Sequence, residues 1–259
     1  MSGFKSLLFV PAEERRLSKI GQTSADAYII DLEDSISTED KETALKRTVD
    51  FLEAAEADNL FVRINKPRYP AELKSLAGFG VGFVLPKIES EKDYAQAEEV
   101  LRKHPVIALI ETPRALLNVD TIAGIGWVSA LAFGAEDFTA AANMLNDVTT
   151  LAVPKQLLVL AAKANRRKVY DTPCFSIRSD ETLQTELQQA VNLGFDGKLA
   201  IHPRQTDAIN RAFMLTDADY IRHVIQTYEA SGNAVCDIDG RVYEKFHIDR
   251  LKKMLPDAE

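Results

Sequence analysis

Eight short apolar runs, each followed by a polar stretch of helical period, limit what this chain can become more than any other feature of its sequence. The runs are Leu7–Pro11, Tyr28–Asp34, Phe61–Asn65, Phe83–Lys87, Val106–Thr112, Ala130–Asp137, Val169–Phe175 and Lys198–Pro203. Between them lie helix-like segments such as Glu39–Ala55, Glu91–Arg102, Pro154–Arg167 and Asp180–Leu193. Strands that read as continuous apolar runs are buried on both faces, and regular alternation with helices implies parallel pairing. Eight such units predict an α/β protein, a (β/α)8 barrel of the TIM type, over residues 1–205. An open doubly wound sheet is the competing arrangement. It usually carries a glycine-rich turn after its first strand, whereas here Val10 and Pro11 lead into Ala12, Glu13, Glu14, Arg15 and Arg16. No GxxxxGK[ST] loop occurs either, which excludes a P-loop nucleotide site.

Residues 206–259 break the rhythm. A long helix-like stretch, Gln205–Ser231, precedes a turn from Gly232 to Gly240 and a short amphipathic helix over Ile248–Leu255. This part is expected to be a C-terminal helical lid on the barrel. The net charge of −8 carries the wrong sign for a phosphate polyanion, so a nucleic-acid partner is not expected. Leu7–Val10 is too short for a signal peptide's apolar region, and no stretch approaches the ~20 residues of a membrane span. A soluble, cytoplasmic protein with no membrane partner is expected, in which Cys174 and Cys236 stay reduced.

In a barrel of this kind the active site lies at the carboxyl ends of the strands. Those ends collect charge: Asp31 to Asp34, Arg63 with Asn65, Lys87, Glu111, Glu136 with Asp137, and His202. Glu111 and Asp137, from separate strands, can converge as oxygen ligands. A carboxylate-and-water site without cysteine favours Mg²⁺, with Mn²⁺ as a substitute, over zinc. Arg63 offers a planar fork for a substrate carboxylate. Such a set would chelate a 2-hydroxy or 2-keto acid and stabilise charge on its oxygen. A Schiff base on Lys87 is disfavoured, because acids crowd a lysine that would have to lose its proton. His202, before Pro203, reads as a structural hydrogen-bonding residue.

Seven strings in order carry a family resemblance. They are Leu8-Phe9-Val10-Pro11, Asp31-Leu32-Glu33-Asp34, Val62-Arg63-Ile64-Asn65, Pro86-Lys87-Ile88-Glu89, Ile110-Glu111-Thr112-Pro113-Arg114, Gly134-Ala135-Glu136-Asp137, and Gly194-Phe195-Asp196-Gly197-Lys198 through Ile201-His202-Pro203. The chain resembles the HpcH/HpaI aldolase and citrate lyase β-subunit family, in particular its CitE-like branch, over residues 5 to about 255. That resemblance implies a Mg²⁺-dependent lyase that breaks or forms a carbon–carbon bond beside a coenzyme A thioester of malyl, citramalyl or citryl type. It implies Glu111 and Asp137 as metal ligands, Glu33 and Asp34 orienting metal-bound waters, and Arg63 gripping the substrate. The backbone N–H groups of Ala135 and Glu136 would hold further carboxylate oxygens. Arg16 and Lys19 match basic positions that meet coenzyme A phosphates.

The lid pattern matches as well. In malyl-CoA-lyase-like relatives it supplies an aspartate across a subunit boundary, which implies a homo-oligomer, a trimer or a multiple of one. Here Asp239, Gly240, Arg241, Val242 and Tyr243 lead to Glu244 instead, one methylene longer, as the catalytic base. Other departures surround the mouth: Lys5, Ala12, Leu45 and Ala141 replace the residues usual there. They keep two alternatives open: an aldolase on free 2-keto acids without coenzyme A, and a barrel that depends on an acyl-carrier protein or is not catalytic.

Overall fold

A computed structural model describes residues 4–55, 59–214, 218–238 and 240–255. Eight parallel strands close into a barrel: β1 (Ser6–Pro11), β2 (Ala27–Asp31), β3 (Leu60–Arg63), β4 (Gly82–Leu85), β5 (Val106–Ile110), β6 (Ala130–Phe133), β7 (Lys168–Asp171) and β8 (Gly197–Ala200). Each pairs with the next in sequence, and β8 closes onto β1 through Ser6↔Lys198, Leu7↔Leu199 and Leu8↔Ala200. The (β/α)8 barrel expected from the alternation is therefore present. Because a strand's side chains alternate, every second residue points inward. Leu7, Ile29, Phe61, Val84, Ile107, Leu109, Ala132, Tyr170 and Leu199 fill the interior as one buried cluster.

The strands stop earlier than the apolar runs suggest. The runs ending at Asp34, Thr112, Asp137 and Phe175 extend past the last paired residues Asp31, Ile110, Phe133 and Asp171. Their polar ends belong to the loops and first helical turns that follow. Glu136 and Asp137 in particular lie in the first turn of the helix Ala135–Ala142 rather than in a strand. The helix expected over Glu91–Arg102 is a 3₁₀ turn, Glu91–Ala97, followed by a short α-helix, Glu98–Leu101. The break falls at Tyr94, which leaves helical geometry and is fully buried; its hydroxyl donates to the Pro86 carbonyl at 2.6 Å. The helix Asp180–Leu193 coincides with its expected range, starting at a Ser179 cap and stopping at Gly194 in the left-handed region.

The chain divides into two compact units, the second beginning at Arg211. That second unit contains more than helices. The helical stretch beyond Gln205 is divided into Thr206–Met214 and Ala218–Ser231. The expected turn from Gly232 to Gly240 contains a strand, β9 (Val235–Ile238), paired antiparallel with β10 (Arg241–Glu244). Two-residue alternation explains the hairpin: Cys236, Ile238 and Tyr243 pack inward against Ile221, Val224 and Ile225, while Val235 and Val242 are exposed. The last helix begins earlier than expected, at Lys245. Asp239 of the lid pattern lies outside the described residues. Cys174 and Cys236 are both free thiols. No helix among the described residues is long and apolar enough to cross a membrane.

One buried ion network ties the barrel to its helices. Asp171, at the end of β7, binds Lys155 at 2.9 Å and Lys198 at 2.8 Å, and Lys198 also meets Glu186 at 2.9 Å. Asp171 and Lys198 are fully buried. Burial pushes the Asp171 carboxyl up, but Lys198 and Lys155 outweigh it and hold the group below the usual range. Removing one partner of such a network strands the others in a dry interior. Asp171→Asn is expected to lower stability by about 3–5 kcal/mol in urea unfolding. A loss under about 1 kcal/mol would show that water or rearrangement satisfies the two lysines.

Candidate active site

The side chains that project above the last inward layer of the barrel meet in one cavity of about 520 Å³. Phe9, Leu109, Phe133 and Leu199 form its apolar walls, and Asp31, Arg63, Glu111 and Asp137 bring charge to it. Register explains the first two. Asp31 and Arg63 are Cα partners at the ends of β2 and β3, so both side chains point inward at the same level.

Their contact is a bidentate ion pair. Arg63 Nε donates to Asp31 Oδ1 and Nη2 donates to Asp31 Oδ2, each at 2.7 Å. The remaining terminal nitrogen, Nη1, donates to Asp34 Oδ2 at 2.9 Å and lies 3.1 Å from Glu33 Oε2. The guanidinium carbon sits 4.9 Å over the Phe9 ring, and the side chain is only 12% exposed. Three of the five N–H donors are thus committed to Asp31 and Asp34, so the fork expected to grip a substrate is already filled. Burial raises the Asp31 carboxyl, but Arg63's hydrogen bonds and charge prevail and hold it below the usual carboxylate range. The loop after β2 is fixed from beneath by Lys41 Nζ and Asn65 Nδ2, which both donate to the Leu32 carbonyl at 2.8 Å.

Glu111 is the most confined acid of the group. It is 2% exposed, its Oε1 accepts the Lys87 N–H at 2.6 Å, and its Oε2 lies against the backbone of Gly134. A Cβ at position 134 would come within 2.7 Å of that oxygen, so only glycine leaves room for the carboxylate. Burial pushes the Glu111 carboxyl up, and the charges of Glu33 and Asp137 push it further, to about 8. Glu33 is also raised, chiefly by burial, against the pull of Arg63 and Lys87. Its Oε2 is buried without a hydrogen-bond donor.

The remaining expected residues fall at different distances from this centre. Asp137 lines the cavity, with its side chain 42% exposed. The Ala135 N–H, expected to meet substrate, instead donates to Thr172 Oγ1 at 3.2 Å. The N–H groups of Glu136 and Asp137 belong to the helix turn that has no intrahelical acceptors. The Glu136 side chain accepts from Asn146 at 2.6 Å. Arg16 lines the cavity and pairs with Glu13 at 3.0 Å, whereas Lys19 is exposed and is not among the lining residues. His202 accepts the Arg204 N–H at 3.2 Å, the structural role expected of it. Glu244, in the second unit, is an exposed residue at the end of β10, and its N–H donates to His247 Nδ1 at 3.0 Å.

Asp31 and Thr172 carry no role expected from the sequence, and Lys87 only the disfavoured one of a Schiff base. Alternation from Ala27 and Ile29 already places Asp31 inward, so that signal was present. Lys87 lies 3.3 Å from Glu33 Oε1 and 3.7 Å from Asp137 Oδ2. Burial lowers its ammonium, but Glu33, Asp137 and Asp34 prevail and raise it, which is the opposite of what a Schiff-base lysine needs.

The donor set suits a hard divalent cation. Among the described residues, no three His, Cys, Asp or Glu side chains converge into a complete metal-binding group. A metal here would therefore take most of its shell from water and substrate, as Mg²⁺ does and a closed zinc site does not. Glu111, cradled by Gly134 and raised by its neighbours, and the nearby Asp137 are the carboxylates such an ion would neutralise.

Comparison with known proteins shows the family of the chain. The family model of HpcH/HpaI aldolase/citrate lyase matches residues 5–203. The chain belongs to that family. The chain is accordingly an enzyme of the aldolase/citrate lyase class, as the strand-end strings implied. The (3S)-malyl-CoA thioesterase of Cereibacter sphaeroides is 29% identical over 270 residues, covering 99% of this chain and 95% of that protein. The citrate lyase subunit beta-like protein of Deinococcus radiodurans is 30% identical, over 84% of this chain and 82% of its own. Among solved structures, CitE from Mycobacterium tuberculosis in complex with magnesium, acetoacetate and coenzyme A matches with a TM-score of 0.81 and 26% identity, over 98% of this chain and 97% of that one.

In the folded state Glu111 keeps its proton up to about pH 8, whereas an unfolded glutamate loses it near its ordinary value of 4.5. Its contribution to stability is therefore full below pH 4.5 and is lost as pH rises towards 8, on the order of 5 kcal/mol in all. Glu111→Gln removes that loss. In thermal melts with EDTA the variant should gain on the wild type steadily from pH 5 to pH 8. A pH-independent gap would contradict the burial of a protonated carboxyl.

Proposed function

We propose that this chain is a Mg²⁺-dependent carbon–carbon lyase that cleaves, or in reverse forms, a malyl-, citramalyl- or citryl-type coenzyme A thioester. The observation that carries the reading is the Glu111 carboxylate, buried against Gly134 and facing a cavity that Asp137 also lines. Glu111 and Asp137 would hold the ion, which supplies Lewis-acid stabilisation of charge on the oxygen of the 2-hydroxy or 2-keto acid. Glu33 and Asp34 would accept from waters around it, and Glu33 Oε2, which accepts no hydrogen bond among the described residues, fits that part. Arg63, oriented by Asp31, would offer its uncommitted hydrogens to the substrate acid. The N–H groups at the start of the helix Ala135–Ala142 would hold a carboxylate oxygen, Glu136 more readily than Ala135, given the latter's bond to Thr172. Arg16 and Lys19 would meet the coenzyme A phosphates.

In the proposed cleavage, Glu244 takes the hydroxyl proton and the oxygen's electron pair becomes the carbonyl of a 2-keto acid. The bond to the thioester's α-carbon breaks, and its electrons pass to the enolate of the acyl thioester, which is then protonated. We read Glu244 as acting in a homo-oligomer, a trimer or a multiple of one, in the cytoplasm. Residues 206–259 would be its lid and residues 1–205 the catalytic barrel.

Purified protein should be assayed with malyl- and citramalyl-CoA and Mg²⁺, with products separated. A keto acid plus an acyl-CoA supports cleavage, whereas free hydroxy acid plus coenzyme A marks hydrolysis, the activity for which the Cereibacter relative is named. Glu111→Ala and Asp137→Ala should each lower turnover by about a hundredfold or more. Arg16→Ala with Lys19→Ala should raise KM for the thioester about tenfold with kcat little changed. Glu244→Gln should lower kcat about a hundredfold at constant KM. Full metal-dependent turnover by Glu111→Ala would overturn the assignment. Activity on free 2-keto acids alone, or only with an added acyl-carrier protein, would replace it with one of those readings.

A further inference from the structure

The loop after β4 contains an anomaly that the proposed reaction does not use. Lys87 has φ +51°, a left-handed conformation that favours glycine and costs a lysine free energy. Such a conformation persists only where the surroundings impose it, and here both sides of the residue are held. Its N–H donates to Glu111 Oε1 at 2.6 Å, and its carbonyl accepts from Lys66 Nζ at 2.6 Å. Lys66 is itself fixed by Asp93 at 2.8 Å. This clamped backbone sends the side chain across the cluster, to 3.3 Å from Glu33 Oε1 and 3.7 Å from Asp137 Oδ2. One residue thus meets three of the carboxylates, Glu111 with its amide and Glu33 and Asp137 with its charge.

We propose that Lys87 is a positioning residue whose ammonium serves as the resident counter-cation of the Glu33–Glu111–Asp137 cluster and sets its affinity for a divalent cation by competing for it. The inference rests on the divalent site proposed above. The amide holds Glu111 in its cradle, while the ammonium neutralises carboxylates that would otherwise repel one another. The two parts are physically separable. The amide is fixed in the backbone, whereas the ammonium ends a flexible stem and is 44% exposed, so it can move aside when a more highly charged ion arrives. A structural lysine would leave the cluster weaker at binding once removed. A competing one leaves it stronger, because a positive charge within a few ångströms opposes a second cation at the same carboxylates.

The test is a Mn²⁺ binding isotherm on the full chain, read by electron paramagnetic resonance of free Mn²⁺, for wild type, Lys87→Met, Lys87→Gly and Lys87→Arg. Glycine adopts the left-handed backbone without strain and keeps the amide, so that variant removes the ammonium while easing the fold. Lys87→Met and Lys87→Gly should each bind Mn²⁺ about tenfold more tightly than wild type, a figure moderated by the partial exposure of the site. Lys87→Arg, which keeps the charge, should stay within about threefold of wild type. Unchanged or weaker binding in Lys87→Gly overturns the role of Lys87, provided wild type binds and Glu111→Gln does not. Wild type that binds no Mn²⁺ overturns the divalent-site reading itself, and this inference with it.

Discussion

Four carboxylates, Asp31, Glu33, Asp34 and Asp137, share two side-chain cations, Arg63 and Lys87, and their residual repulsion on a fifth, Glu111, governs the rest of the site. The two cations divide the work. Arg63 spends its rigid fork on Asp31 and a further donor on Asp34, which makes that side a closed ion pair over the Phe9 ring. Lys87 neutralises the other side only in part, as a point charge on a mobile stem. Glu111, with no side-chain cation paired to it among the described residues, is left to be raised by burial and by its neighbours. A divalent ion that takes Glu111 as a ligand has to displace its proton, so the affinity of the site should rise with pH. The barrel makes that arrangement possible, since parallel closure brings the ends of all eight strands to one rim.

The architecture was legible because eight apolar runs at near-regular spacing leave few alternatives to a closed parallel barrel. Where strands stopped was less legible. An apolar run does not report which of its residues are paired, and the polar ends of those around Glu111 and Asp137 turned out to be loops and a helix start. The helix expected over residues 91–102 failed at Tyr94, whose hydroxyl reaches the Pro86 carbonyl, a contact no local pattern encodes. The hairpin of the second unit was readable in principle from the alternation of Val235, Cys236, Asp237 and Ile238, but the glycines flanking it read first as a turn.

Residue types at the strand ends pointed to Glu111, Asp137 and Arg63, and family resemblance supplied Glu33, Asp34, Arg16 and Lys19. Neither source indicated what Arg63 is bound to, because an ion pair between residues 31 and 63 depends on the register of two strands. Neither indicated why position 134 is glycine, because that depends on how closely the Glu111 carboxylate approaches the neighbouring strand's end. The left-handed backbone of Lys87 was equally hidden, being imposed by two contacts from distant parts of the chain. In each case sequence named the group, and only three-dimensional contact showed what it is prepared to do.

The proposed divalent cation belongs between Glu111 and Asp137. Crystals grown with Mn²⁺ and a 2-keto acid, measured at a wavelength sensitive to manganese, test it directly. The account predicts one strong anomalous peak within coordination distance of both carboxylates, with the keto acid's oxygens and waters completing the shell. A peak held by other residues, or none with the keto acid clearly bound in the cavity, would contradict it.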